Sequence, residues 1–415
     1  MTMLTDNDAV IVSIARTAIG RARKGGLADV RGDELARQVF AGVIDRVPGL
    51  SIDDVDDLML GTAAPDGEQG FNMARVVATL LGYDTLPGTT VNRFCASSIQ
   101  TTRMAFHAIK AGEGDAFLVG GTESTSHAAP PAGAGNAAFD AAAERTAQAM
   151  LSGASWHDPR TDGGMPDAYI QMGHTAEYVA RLTGVSRADQ DAFAARSQRL
   201  AGEAQASGYL AREIVPVVRP DGSIFDQDDS LRPGTTAEVL AELKPVFSPV
   251  GTVTAGNACP LNDGASAAVV VSGRYAKAHG LQPLARIVST AVSGLSPEIM
   301  GLGPVESSRR ALRRAGLTIA DLDLIEINEA FAVQVVASAR ELGIDMDRQL
   351  NTHGGAIAIG HPFGATGTRL IGTLINGLST EDKTLGMATL CVGGGQGMAW
   401  VRHPPRGGPD GNAAG

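Results

Sequence analysis

Apolar and polar positions fall into blocks that repeat once along this chain. Residues 33–47 and 305–315 both carry apolar positions at helical spacing. Each is followed by a related segment, LSIDDVDDLML at 50–60 and LTIADLDLIEI at 317–327, that runs into a short apolar strand. The correspondence continues at nearly the same spacing. Cys95 falls opposite His361, each in a turn of small residues ahead of a predicted helix, 98–111 and 366–378. An apolar strand containing Val-Gly-Gly follows each helix, at 117–121 and 389–394. Three matched elements in one order predict two copies of a β/α unit. That makes the chain α/β, with mostly parallel sheets and helices on their faces. Ligands of such sheets sit at the carboxyl ends of strands, where the turns carrying Cys95, His361 and Cys391 all fall.

The stretch from 122 to about 249 has no counterpart in the second copy. It holds an Ala/Gly-rich run at 128–143, amphipathic helical patterns at 172–183 and 186–207, and a polar loop before Pro233. It reads as an insertion between two strands of the first copy, with 267–272 supplying that copy's last strand. The expected division is a first half at 1–121 plus 265–280, an inserted loop domain at 122–264 and a second half at 281–403. The Pro/Gly/Asn/Ala-rich residues 404–415 are expected to form a flexible tail.

Composition narrows the function. A chain of 415 residues exceeds one hydrophobic core, and 44% hydrophobic with 19% charged residues fits a soluble globular protein. The net charge of −11 argues against a nucleic-acid partner, and an anionic ligand would need a local patch of Arg or Lys. Three cysteines do not make a disulfide framework and favour a reducing compartment, here taken as the cytoplasm. No Cys/His spacing suggests a metal, no apolar run approaches a membrane span, and the acidic N-terminus lacks a signal-peptide pattern. No peroxisomal tripeptide ends the chain.

The candidate chemistry is acyl transfer through sulfur. Cys95 lies in Val-Asn-Arg-Phe-Cys-Ala-Ser-Ser, between an apolar strand and a helix. A free cysteine is commonly a small buried hydrophobe, but at a helix N-terminus unpaired N–H groups favour the thiolate; with Asn92, Ser97 and Ser98 around it, the nucleophilic reading is preferred. His361, in Ile-Gly-His-Pro-Phe-Gly-Ala-Thr-Gly, sits on a turn with little bulk, where a neutral imidazole serves as general base. Cys391 is open to strand packing, yet its strand leads into three glycines able to form an oxyanion turn. Asn328 is open between a helix cap and a polar role in the site. The glycine-rich runs match neither a P-loop nor a dinucleotide fingerprint.

These blocks, with Asn328-Glu-Ala-Phe-Ala, Gly360-His-Pro-Phe-Gly and Cys391-Val-Gly-Gly-Gly, resemble the thiolases, the acetyl-CoA C-acyltransferases that cleave or form 3-ketoacyl-CoA. The similarity runs from about residue 11 to 398. It implies a layered αβαβα core and a ping-pong reaction on acyl-CoA and CoA, with coenzyme A as substrate and no resident cofactor or metal. It implies Cys95 as the acylated nucleophile, His361 as base and oxyanion donor, and Cys391 as proton donor and acceptor. Asn328 would hold an oxyanion-hole water, and the Gly393 N–H would complete a second hole with that of Cys95. Arg232 would lie near the adenine. Cys259 stands where a serine commonly meets the pantetheine arm, while Phe247, Met300 and Phe331 would line the acyl pocket and Met172 the loop domain. Gln171 stands where some biosynthetic members have His, and His353 receives no role. Decarboxylating ketosynthases share the fold but typically carry histidines instead of a second cysteine, so Cys391 disfavours them; a non-catalytic lipid or CoA carrier has no use for the four residues together. The resemblance also implies a homodimer or homotetramer, and a place in fatty-acid metabolism such as β-oxidation. Chain length, steroid preference and direction stay open.

Overall fold

The computed structural model describes residues 4–128 and 135–403, so the expected tail at 404–415 and part of the Ala/Gly-rich run lie outside the described residues. The first half comprises β1 (Ala9–Thr17), α1 (Gly32–Asp45), β2 (Asp57–Gly61), α2 (Met73–Leu80), β3 (Gly88–Val91), α3 (Ser97–Ala111) and β4 (Ala116–Ser124). Helices α4 (Asp140–Ser152), α5 (Met172–Thr183) and α6 (Arg187–Ala206) follow, before the chain returns through β5 (Asn262–Ser272). The second half comprises β6 (Ala285–Gly294), α7 (Gly303–Ala315), β7 (Leu324–Ile327), α8 (Ala332–Leu342), α9 (Thr366–Thr380), β8 (Gly386–Val392) and β9 (Gln396–His403).

The main strand path runs β7-β8-β9-β6-β1-β5-β4-β2-β3. Each half therefore repeats one order, and the two join where β1 meets β6 antiparallel at Val10–Arg286 and Ile11–Ala285. Pairing sense repeats as well: β2–β4 and β7–β8 are parallel, whereas β5 and β9 run antiparallel to both neighbours. The sheets are thus mixed, not mostly parallel as the alternation of strands and helices suggested. The reason lies in the connections: β8 turns into β9 through three residues, with no helical crossover to restore a parallel sense.

Alternating side chains assign the layers. From β4, Ala116 and Leu118 pack with α1 and α2, while Phe117 and Val119 pack with α3 and α9. From β8, Met387 and Cys391 face the cluster of α7 and α8, while Ala388, Leu390 and Val392 face α3 and α9 from the other side. Helix pair, sheet, central helix pair, sheet and helix pair make five layers, with α3 and α9 buried between the sheets.

The two central helices meet at their N-termini. Thr368 N donates to Ser98 Oγ (2.9 Å), and Thr368 Oγ1 to the carbonyl of Ser98 (3.2 Å). A Cβ on Gly367 would strike the backbone nitrogen of Ile99, so only glycine permits this crossing.

Strands β4 and β5 extend past the limits drawn at 122 and 264, because Thr125 and Ser126 still bond to Asn262 and Asp263 opposite. The connecting segment is tied back by one buried cation. Arg16 on β1 donates to Glu213 (2.9 Å) and to both oxygens of Asp228 (2.8 and 2.9 Å), all three side chains being at most 5% exposed. Removing one partner strands a buried charge. Asp228→Ala is expected to cost roughly 3–5 kcal/mol in urea unfolding; a loss below about 0.5 kcal/mol would show that the connection is held by other contacts.

Candidate active site

Cys95 sits in a one-turn helix, Phe94–Ala96, feeding directly into α3. Asn92 Oδ1 accepts from Phe94 N (2.7 Å), while Ser97 Oγ accepts from Arg93 N and donates to the carbonyl of Phe94. The matching turn of the second half, Phe363–Ala365, feeds α9 and touches the Cys95 turn. Glu123, at the end of β4, pins both loops that flank the site. It accepts from the backbone N–H groups of Ala63, Ala64 and Gly364 and from Gln69. Burial raises its pKa, and those donors oppose the rise.

His361 is 1% exposed and its proton position is fixed by its neighbours. Thr366 Oγ1 donates to the Pro362 carbonyl (2.9 Å), so it accepts from His361 Nδ1–H at 2.6 Å. Nε2 therefore carries the lone pair, and it receives Asn328 Nδ2 at 3.1 Å. Arg369 Nη2 donates to Asn328 Oδ1 (3.3 Å), setting which way the amide faces. Burial first, and then the Arg369 charge, lower the imidazole pKa to about 3, so it is neutral at rest. Asn328 does not cap a helix; α8 begins four residues later and its amide is spent on His361 and Arg369.

Cys391 is buried near the end of β8, and Gly393, Gly394 and Gly395 make the turn into β9, with φ of +74° and +78° at the last two. This turn brings the Gly393 N–H onto the Cys95 sulfur. That donor does not make Cys95 a thiolate, as its place before a helix suggested. Burial outweighs it and, with Glu123 adding repulsion, pushes the thiol up to about 12. Cys391 and Cys259 are also held as thiols by burial, and the Cys95 charge, once formed, would oppose ionising either. The three sulfurs therefore share one neighbourhood.

Cys259, Phe247 and Arg232 line one cavity of about 300 Å³ together with Arg21 and Ser230. Two guanidinium groups at its wall answer the need for local positive charge in an acidic chain. The Met172 side chain begins α5 and its sulfur lies beside Gly393, while Gly173 makes room for the Phe247 ring. Phe247 meets Phe331 edge-on at 6.2 Å, and Met300 and Phe331 belong to the apolar cluster that contains Cys391. Gln171 is the N-cap residue of α5, and His353 stacks on Tyr209 at 3.7 Å. Thr366, Arg369 and Glu123 were missed in the sequence. Thr366 stood within the same motif as His361, whereas Arg369 lies two residues beyond it and its partner, Asn328, comes from another element.

A duplicated five-layer α/β fold with a thiol, an imidazole and a second thiol at its centre defines a class of acyl-transfer sites. The comparisons agree. The family description "Thiolase, N-terminal domain" matches residues 9–274 and "Thiolase, C-terminal domain" matches 281–403. A 3-ketoacyl-CoA thiolase of Bacillus subtilis (strain 168) is 44% identical over 407 residues, 95% of this chain and 98% of that one. A beta-ketoadipyl-CoA thiolase of Pseudomonas knackmussii is 44% identical over 397 residues, 94% of this chain and 98% of that one. The crystal structure of the Bacillus anthracis acetyl-CoA acetyltransferase superposes with a TM-score of 0.84 at 36% identity, covering 95% and 98% of the two chains. The chain belongs to the thiolase family.

The neutral histidine has a measurable consequence. Its pKa is about 3 when folded and near 6.5 when unfolded, so only the unfolded chain takes up this proton as pH drops below about 6.5. The stability it contributes is full above that pH and is lost progressively toward pH 3. Between pH 7.5 and 5.5, His361→Asn should lose about 1.4 kcal/mol less unfolding free energy than the wild type. Equal losses in urea titrations of the two proteins would contradict the neutral assignment.

Proposed function

We propose that the chain is an acetyl-CoA C-acyltransferase that cleaves 3-ketoacyl-CoA to acetyl-CoA and a shortened acyl-CoA through an acyl-Cys95 intermediate. The observation that carries this reading is the Gly393 N–H on the Cys95 sulfur, beside a second thiol and a histidine whose lone pair is fixed at Nε2. The Asn328 amide N–H gives up the Nε2 lone pair, and His361 Nε2 takes the Cys95 proton as sulfur attacks the 3-keto carbon. The transfer is uphill for either group alone, and the attraction of the resulting pair at low dielectric offsets it. The resulting Nε2–H, with a water held by Asn328, donates to one developing oxyanion. The backbone N–H groups of Cys95 and Gly393 serve the thioester oxygen. The C2–C3 bond breaks, its electron pair becomes the acetyl-CoA enolate, and Cys391 gives that carbon a proton. A second CoA thiol returns a proton to Cys391 and takes the acyl group, and the departing Cys95 sulfur recovers its proton from His361 Nε2. The same groups run the condensation in reverse.

Arg232, Cys259 and Phe247 would receive the CoA arm in their shared cavity, with Met172, Met300 and Phe331 around the acyl chain. We keep the division into halves 1–121 plus 265–280 and 281–403 with a loop domain between them, the loop domain acting as the cover. Coenzyme A is the substrate, with no resident cofactor or metal. The described residues hold no helix long and apolar enough to cross a membrane; a cytoplasmic site is proposed because free catalytic thiols need a reducing compartment. A homodimer or homotetramer is favoured by the open sheet edge at β3 and by exposed Phe71, Leu80 and Phe94. Fatty-acid degradation such as β-oxidation is the proposed setting.

Mass spectrometry after incubation with acetyl-CoA tests the core of this reading. Wild type and Cys391→Ala should carry an acetyl group on Cys95, and Cys95→Ala should carry none. Cys391→Ala should also turn over acetoacetyl-CoA at least about 10²-fold more slowly. An unmodified Cys95 in the wild type would point to the carrier instead. Thr366→Val preserves shape but removes the acceptor for Nδ1–H, so kcat should fall by about 10- to 100-fold with little change in melting temperature. Wild-type kcat in that variant would mean that the threonine does not set the tautomer.

A further inference from the structure

A cavity of about 530 Å³, larger than the one beside Cys259, opens behind the catalytic histidine, where β1, the start of β6 and the face of α9 meet. Its wall carries Arg16, Arg46, Arg212, Arg369, Lys383 and Arg402 against two carboxylates, Glu213 and Asp382. Most carboxylate charge nearby is already spent. Arg16 takes Glu213 and Asp228, and Lys383 pairs with Glu381 at 2.6 Å.

The other four guanidinium groups have neutral partners. Arg46 donates to the carbonyls of Ile14 and Ile214, Arg402 to those of Thr384 and Leu284, Arg212 to the Thr380 hydroxyl, and Arg369 to the Asn328 amide oxygen. Glu326, Glu213 and Glu329 act on Arg369, and Asp323 acts on Arg402, only from beyond ion-pair distance. Arg369 is 2% exposed, yet its Nε and Nη1 hydrogens have no acceptor among the described residues, and the same holds for Arg402 Nε. Buried positive charge without an ion-pair partner is costly, and burial accordingly lowers the pKa of Arg369 and Arg402. The concentration of cations also runs against a net charge of −11.

We propose that this cavity is a binding site for a multivalent oxyanion of the phosphate class, and that its occupancy is felt at the catalytic centre through Arg369 and Asn328. Forked guanidinium donors match phosphoryl oxygens two at a time, which lysine-lined patches do not. Arg369 is the positioning residue. It faces the cavity and also holds Asn328, whose amide meets His361. An anion that takes up its free N–H groups fixes the guanidinium and, with it, the amide.

The site is separable from the CoA cavity, so calorimetric titration of the full chain with pyrophosphate tests it without turnover. Wild type should bind saturably. The Arg46→Gln/Arg212→Gln double variant changes only exposed side chains at the rim and should bind at least tenfold more weakly. Arg232→Gln, which alters the CoA cavity, should bind as the wild type does. No saturable binding, unchanged affinity in the double variant, or loss confined to Arg232→Gln each overturns the site. Citrate binding more tightly than pyrophosphate overturns the phosphoryl assignment. At saturation, pyrophosphate should change kcat at least twofold in wild type and not in the double variant. An unchanged kcat overturns the link to Asn328, and a rise in KM for CoA alone assigns the effect to competition at Arg232.

Discussion

The close crossing of α3 and α9 is the constraint on which the rest of the molecule depends. Each helix begins right after a turn that carries chemistry, Cys95 in one half and His361 in the other. Their first residues are locked together by Ser98 and Thr368, with Gly367 allowing backbone-to-backbone approach. Two helix starts held at that distance inside a five-layer core place two turns from distant parts of the chain side by side. A bulkier residue at 367 would separate the turns before it changed either of them. The fold is therefore less a scaffold around the site than the means by which the Cys95 and His361 turns meet.

Burial in that core decides the resting charges. A thiol pushed up to about 12 and an imidazole lowered to about 3 give a neutral site in the absence of substrate. The same burial that suppresses ionisation strengthens every donor aimed at charge that appears during reaction. The fixed groups are arranged accordingly: Gly393 N–H at sulfur, Asn328 at Nε2, Thr366 at Nδ1. Glu123 anchors both loops through donors from Thr62, Ala63, Ala64, Gln69 and Gly364, and its charge opposes ionisation of Cys95.

The duplication was legible because residues 50–60 and 317–327 keep the same apolar positions, and because Cys95 and His361 occupy matching turns. Strand sense was less so. Alternating helices and strands suggested parallel sheets, but β9 returns through a three-residue turn and β5 comes back antiparallel after a long excursion, a property of the connection that strand composition does not carry. The ionisation of Cys95 was misjudged for a similar reason. Its local signal, a thiol before a helix, is real, but the burial that overrides it depends on a turn contributed by residues 393–395 of the other half. Asn328 stayed open between a cap and a polar role on local grounds, and only the position of His361 shows where its amide goes. Thr366 lay within the glycine-rich block and Arg369 just beyond it, without any periodicity to mark their partners.

The two halves also explain how a symmetric fold supports an asymmetric reaction. In the second half, the connection from β8 to β9 is three glycines. In the first half, the equivalent connection from β4 to β5 is the long excursion that holds α4, α5 and α6. The short connection has no side chains, so its backbone comes close enough to offer an N–H to Cys95. The long one supplies what a three-residue turn cannot: the Met172 sulfur beside Gly393, and a cavity with Phe247, Arg232 and Cys259 in its wall. Residues of both connections, Met172 and Gly393, therefore meet beside Cys95. Duplication thus placed two equivalent connections over the central helices, and divergence in length made one a bare glycine turn and the other a cavity wall.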